Sequence, residues 1–155
     1  MTEKNVVKVL VPAGALGIPY DKDALAKGLT FKPDLIAIDG GSTDSGPFYL
    51  GTGTSKYSRS STKSDWGELM AARAKIGVPL LIGTAGTCGT NSTVDWLVDI
   101  TKEIASERHE TLTIAVLKSD QSAANINGSA ALGRMHPLEG APAITSEIIE
   151  DCTNI

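Results

Sequence analysis

Cysteine and histidine are both scarce in this chain, with two of each in 155 residues. Cys88 and Cys152 form no CxxC pair and no spaced framework, which excludes a disulfide scaffold and a redox dithiol. His109 and His136 share no metal-ligand spacing with each other or with the cysteines, so a structural zinc site lacks its usual ligands. His109 is expected near the end of a helix, and His136, before Pro137, in a structural turn. Aromatic residues make up 5% of the chain, which speaks against a flavin held by ring stacking. No run of Lys or Arg occurs and the net charge is −4, so the electrostatic footprint of a nucleic-acid binder is missing. No apolar run approaches the ~20 residues of a membrane span. The segment from Met1 to Lys8 is polar, without the apolar stretch of a signal peptide. These absences imply a cytoplasmic protein with reduced thiols, no nucleic-acid partner and no membrane.

What remains is ordinary globular material: 41% hydrophobic and 21% charged residues, in a length that suits one domain with its own core. The β-branched run Val6–Val11 reads as a strand stopped by Pro12. Ala13–Tyr20 reads as a loop, and Asp21 caps a short helix over Lys22–Leu29. Asp34–Asp39 is a second strand whose apolar residues are consecutive, as in a parallel sheet covered on both faces. Gly40–Ser61 shows neither helical nor strand periodicity, and it exceeds the ~12–15 residues of an ordinary structureless loop. From about Thr62 the i, i+3, i+4 spacing of Trp66, Leu69, Met70, Arg73, Ala74 and Ile76 predicts a helix, stopped by Gly77 and Pro79.

Val78–Ile82 is the third strand. Ser92 and Asp95 resemble a capping box for a helix that turns Val94, Leu97, Val98, Thr101, Ile104 and Ala105 inward and ends near Arg108-His109. Thr111–Leu117 is the fourth strand. A weak helix over Ser122–Leu132, interrupted at Asn127-Gly128, precedes a turn-rich Met135–Ala143 and a short helical piece, Ser146–Cys152. Exposed Ile148, Ile149 and Ile155 predict an unsatisfied apolar patch, and hence dimerisation where no further part of a longer or split protein covers it.

Strands alternating with helices predict an α/β fold: an open, mostly parallel sheet of at least four strands with helices on both faces, a Rossmann-like or flavodoxin-like three-layer arrangement. Every strand-to-helix loop then lies on one edge, where such sheets bind ligands. Ala13–Tyr20, Gly40–Ser61, Thr84–Asn91 and Lys118–Ser122 would share that rim.

Three motifs carry a family resemblance: Asp39-Gly-Gly-Ser-Thr-Asp-Ser-Gly-Pro-Phe-Tyr-Leu-Gly51, Pro79-Leu-Leu-Ile-Gly-Thr-Ala-Gly86, and Gly133-Arg-Met-His-Pro-Leu138 with the Gly-Ala-Pro beyond it. In these the chain resembles the N-terminal part of the acyclic terpene utilisation (AtuA) family. The resemblance implies a cytoplasmic catabolic protein linked to CoA thioesters of branched acyclic terpenoids. Family members are several times longer, which implies that this chain is an N-terminal portion or a split half of such a protein.

On that rim, Asp39 ends the second strand, where a carboxylate can take a ribose hydroxyl, hold a metal or act as a general base. It can equally cap its own loop by accepting from the backbone of Gly41 and Ser42. Asp44 is a second acid and Lys118 a cation for a substrate carboxylate, so Asp39, Asp44 and Lys118 form the catalytic set. Gly40, Gly41, Ser42, Thr43, Thr84, Gly86, Thr87, Cys88, Ser119 and Asp120 form the ligand-binding set. Tyr49, Lys56, Tyr57 and Arg59 lie on the same long loop as lid residues or as solvated ones. Gly83–Thr90 offers backbone N–H groups and a helix N-terminus to an anion, although Gly83, Gly86 and Gly89 fit neither the Walker nor the GxGxxG pattern. Cys88 stands before that helix, either as an activated thiol or as a small buried residue.

The expected function is that of a catabolic enzyme or enzyme subunit acting on a small carboxylate or its CoA thioester by lyase- or hydratase-type proton chemistry. The alternative is a non-catalytic small-molecule or phosphate-binding domain that needs a partner chain. No resident cofactor is expected; a CoA-thioester substrate, or a divalent ion held by Asp39 and Asp44 with waters, would be the exceptions. The expected partners are a small anionic substrate and further subunits, as a homo- or hetero-oligomer.

Overall fold

The computed structural model describes residues 6–41, 47–152 and 154–155. Among them are three strands and six helices, arranged as an α/β unit with an open, all-parallel sheet. The strands are β1 (Val9–Leu10), β2 (Leu35–Asp39) and β3 (Leu80–Gly83), in the order β1-β2-β3. The register sets Leu10 beside Ile36, Ile36 beside Leu80, and Asp39 beside Gly83. The helices are α1 (Lys22–Thr30), α2 (Pro47–Thr52), α3 (Arg59–Ile76), α4 (Asn91–Glu107), α5 (Ala123–Ala131) and α6 (Ser146–Asp151).

Local chemistry accounts for most of these boundaries. Asp21 caps α1 by accepting from the N–H groups of Asp23 and Ala24, which would otherwise have no partner inside the helix. Gly77, at φ 71°, ends α3 in the left-handed conformation that glycine enters without a Cβ clash. Two helix starts differ from the sequence expectation because nearer hydroxyls do the capping. Ser58, which accepts from Ser61 N–H, starts α3 before Thr62. Thr90, which accepts from Thr93 N–H, starts α4 before Ser92. Gly40–Ser61 is not structureless throughout, since α2 and the start of α3 fall within it. Asn127-Gly128 does not interrupt α5.

The core lies between one face of the sheet and the pair α3/α4. Ile38 and, more partly, Leu80 and Ile82 pack against Trp66, Leu69 and Met70 of α3 and Val94, Leu97, Ile100 and Ile104 of α4. The inward stripe read from the α4 sequence is the stripe that is buried, with Ile100 added and Val98 only partly covered. The indole N–H of Trp66 is satisfied inside this core by the Thr101 hydroxyl at 2.9 Å, as a buried donor requires. On the other face the register neighbours alternate outward, and Val9 and Leu81 are 51% and 61% exposed.

Thr111–Leu117 does not join the sheet. It carries no strand hydrogen bonds among the described residues, and Ile114, Val116 and Leu117 are exposed. A β-forming composition specifies a strand only where a free edge is within reach. Near the C-terminus, α5 and α6 pack on each other. Of the isoleucines expected to be exposed there, Ile148 is open but Ile149 is buried. No helix among the described residues is long and apolar enough to cross a membrane.

Gly67 lies inside α3, where an added Cβ would meet only Ile104 side-chain atoms at 3.8–4.0 Å. Gly67→Ala is therefore expected to stabilise the protein by about 0.5–1 kcal/mol, because a helical glycine loses extra backbone entropy on folding. Urea unfolding of the two proteins measures the difference.

Candidate functional site at the sheet rim

The strand-end loops meet at the C-terminal edge of the sheet. Leu16 N–H donates to the Asp39 carbonyl at 2.7 Å, Gly40 N–H to the Gly83 carbonyl at 2.7 Å, and Thr87 N–H to the Gly40 carbonyl at 3.2 Å. Lys56 N–H reaches the Thr87 hydroxyl at 3.0 Å. Asn91 N–H reaches both carboxylate oxygens of Asp120, each at 3.0 Å. The four segments expected to share a rim are joined to one another by these bonds.

Asp39 sits exposed at the end of β2. Its Oδ1 accepts from Gly41 N–H at 3.0 Å and from the Thr84 hydroxyl. The Gly41 half of the expected loop cap is therefore present, joined by the Thr84 side chain, while Ser42 lies outside the described residues. Both bonds fall on Oδ1. The Thr84 hydroxyl also lies 2.8 Å from the Gly41 carbonyl, and with one proton it serves either acceptor in turn.

Thr84 and Thr87 have φ of 45° and 87°. A β-branched residue in this region is strained, and such strain persists only where the surroundings over-determine the backbone. The surroundings here are tight. Thr87 is fully buried, and a Cβ on Gly86 would come within 2.6 Å of Thr93 Cβ, so the loop lies directly on α4. Cys88 is buried, 3.8 Å and 3.7 Å from the hydroxyls of Thr90 and Thr93. Its environment is that of a packed small residue.

The remaining expected residues are dispersed. Lys118 Nζ is 2.6 Å from Asp95 Oδ2 on α4, so it is tied to the helix flank and not to Asp39. Asp120 occupies the first N–H of α4, where a carboxylate complements the helix dipole. Ser119 is exposed, and its carbonyl accepts from the Gln121 side chain at 3.0 Å. Ser42, Thr43 and Asp44 lie outside the described residues. Among the described residues, no group of three or more His, Cys, Asp or Glu is placed to hold a metal ion.

A concavity of about 420 Å³ opens between the 53–59 segment and the first turns of α4, lined by Thr54, Ser55, Tyr57, Arg59, Ser92 and Trp96 among others. Ser92 and Trp96 were not among the expected site residues. Their signal was a spacing of one helical turn at the start of a helix that leaves the rim. Arg59 is held at this cavity by Glu103 at 2.7 Å, a pair roughly half exposed on both sides and so worth little as stabilisation. Tyr57 packs over Gly17, where a Cβ would lie 2.9 Å from the ring, and so joins the first loop to the cavity wall.

At the end of the first loop, the Tyr20 hydroxyl donates to Glu68 at 2.9 Å, and Lys22 meets the same carboxylate at 2.6 Å. Lys22 and then Tyr20 hold the Glu68 carboxyl below its usual range. Burial, followed by the Glu68 charge, pushes Asp65 up. Burial first and Glu68 second raise Tyr20 well above a normal phenol. This cluster anchors the end of the Ala13–Tyr20 loop to α3.

Comparison of the chain with protein-family models, with curated proteins and with solved structures finds no match in any of the three.

Proposed function

We propose that this chain is a small-molecule-binding α/β domain that takes an anionic ligand, a small carboxylate or a phosphate-bearing thioester such as a CoA ester, on the C-terminal rim of its sheet. The observation that carries this reading is the concavity beside α4, where Arg59 and the hydroxyl-bearing residues Thr54, Ser55 and Ser92 line one space. Arginine and hydroxyl groups are the donors that carboxylate and phosphate oxygens require. In this reading the domain works within a larger cytoplasmic catabolic assembly of the kind the AtuA-like motifs imply. On the same reading, the sheet of this chain reaches at least four strands, and further subunits cover its outer face.

A second reading, lyase- or hydratase-type proton chemistry, is favoured by Asp39. Its carboxylate is exposed and oriented through Oδ1 by two donors, which leaves Oδ2 for a substrate proton. Lys118, paired with Asp95 on α4, would have to leave that partner to meet a substrate carboxylate beside Asp39.

Calorimetric titration with short-chain carboxylates and with acyl-CoA esters separates the readings. Arg59→Ala is expected to weaken binding about tenfold, the ~1.4 kcal/mol of one charge-assisted contact. Asp39→Asn should leave binding intact and remove turnover only if the second reading holds. Equal affinity of the wild type and Arg59→Ala for every anion would overturn the site.

A further inference from the structure

Thr111–Leu117 and β3 flank a cavity of about 920 Å³ whose walls include Leu80, Leu81 and Ile82 on one side and Ile114 and Val116 on the other, over Leu97 of α4. Among the described residues β3 is paired only with β2, so its far edge has no described ladder partner. Thr111–Leu117 has no ladder partner among the described residues either. The segment is nevertheless fastened to α4 at both ends. Glu110 N–H bonds the Ala105 carbonyl at 2.9 Å, Lys118 pairs with Asp95 at 2.6 Å, and Asp120 holds Asn91 N–H.

The composition of this segment, Thr-Leu-Thr-Ile-Ala-Val-Leu, is that of a strand. It also follows α4 where a right-handed crossover returns the chain parallel to β3 and next to it. Its alternation fits that position, since Leu112 already packs against the core and Ile114 and Val116 fall on the same side of the strand as Leu112.

We propose that Thr111–Leu117 is a strap that closes onto the free edge of β3 as a fourth parallel strand, and that this structure shows it open. Closing eliminates the cavity and removes Ile114 and Val116, now 40% and 46% exposed, from water on the inner side of the sheet. It also pairs these two edges, which otherwise invite association with other chains. The cavity reaches Thr84, Cys88 and Ser119, so closure shuts the space beside the loop that orients Asp39. The proposal is independent of which ligand the rim takes.

Residue-resolved amide hydrogen exchange of the full chain by NMR, at two protein concentrations, tests it. A ladder on one side of a strand protects every second amide. The expected result is therefore alternate amides within 112–117 slowed roughly a hundredfold or more relative to the free chain, with fast exchange between them and no dependence on concentration. Free-chain rates throughout the segment would overturn the strap. So would protection without alternation, which reports burial alone, and so would protection that grows with concentration, which reports pairing between copies.

Discussion

Gly41→Ala is expected to destabilise the protein by about 2–5 kcal/mol and to disorganise the rim together with the fold. Gly41 has φ 146°, and a Cβ added there would lie 2.4 Å from Thr87 Cα and 3.0 Å from Thr87 Cβ. The first of these is backbone, in a residue that is itself fully buried, so it has no direction in which to retreat. The unfavourable φ costs about 1–2 kcal/mol and the overpacking about 1–3 kcal/mol, out of the roughly 5–15 kcal/mol that a domain has in all. Gly53 is the internal control. It also has a positive φ, but a Cβ there would meet the Asn154 and Ser92 side chains, which can rotate away. Urea unfolding should therefore rank Gly41→Ala well above Gly53→Ala. Equal effects at the two positions would mean that β2 and β3 do not close on each other through Gly40, Gly41 and Thr87.

The parts of this fold that were legible in the sequence are those dictated by short-range chemistry. Consecutive apolar residues before Asp39 marked β2, Gly77 and Pro79 marked the end of α3, and the spacing from Val94 to Ala105 marked the buried stripe of α4. The errors arose where two nearby residues compete for one role, or where the partner is distant. Ser58 and Thr90 outcompete Thr62 and Ser92 as helix starts, because a cap is decided by which hydroxyl the loop brings to the first free N–H groups. Thr111–Leu117 has the composition of a strand, but composition carries no information about whether the β3 edge is within hydrogen-bonding reach.

The site divides in the same way. The position of Asp39 at the rim was legible because a polar residue ending an apolar strand has one place to go, whereas the close approach of Gly41 to Thr87 was not. The partner of Lys118 was not legible, because Asp95, which pairs with it on α4, is distant in sequence. Thr87 was placed in the ligand loop without any sign of its strained backbone, since nothing in its neighbours' chemistry announces a φ of 87°. Arg59 and Trp96 come from different elements and meet only through packing, which no local pattern encodes.

Leu69→Ala should cost about 3 kcal/mol, whereas Leu81→Ala should cost less than about 0.5 kcal/mol, although both remove the same side-chain atoms. Leu69 is completely buried in α3 against the sheet and α4, so truncation loses its transfer free energy and leaves a cavity that the packed neighbours cannot fill. Leu81 lies on the outer face of the sheet and is 61% exposed, where substitutions seldom register. The comparison measures how one-sided this sheet is, and chemical denaturation at several protein concentrations extends it to the outer face. If Leu81→Ala costs as much as Leu69→Ala, and the cost vanishes on dilution, then a second chain covers that face. If the small cost persists at every concentration, the core between the sheet and the α3/α4 pair is sufficient to hold the rim without a cover on the other side.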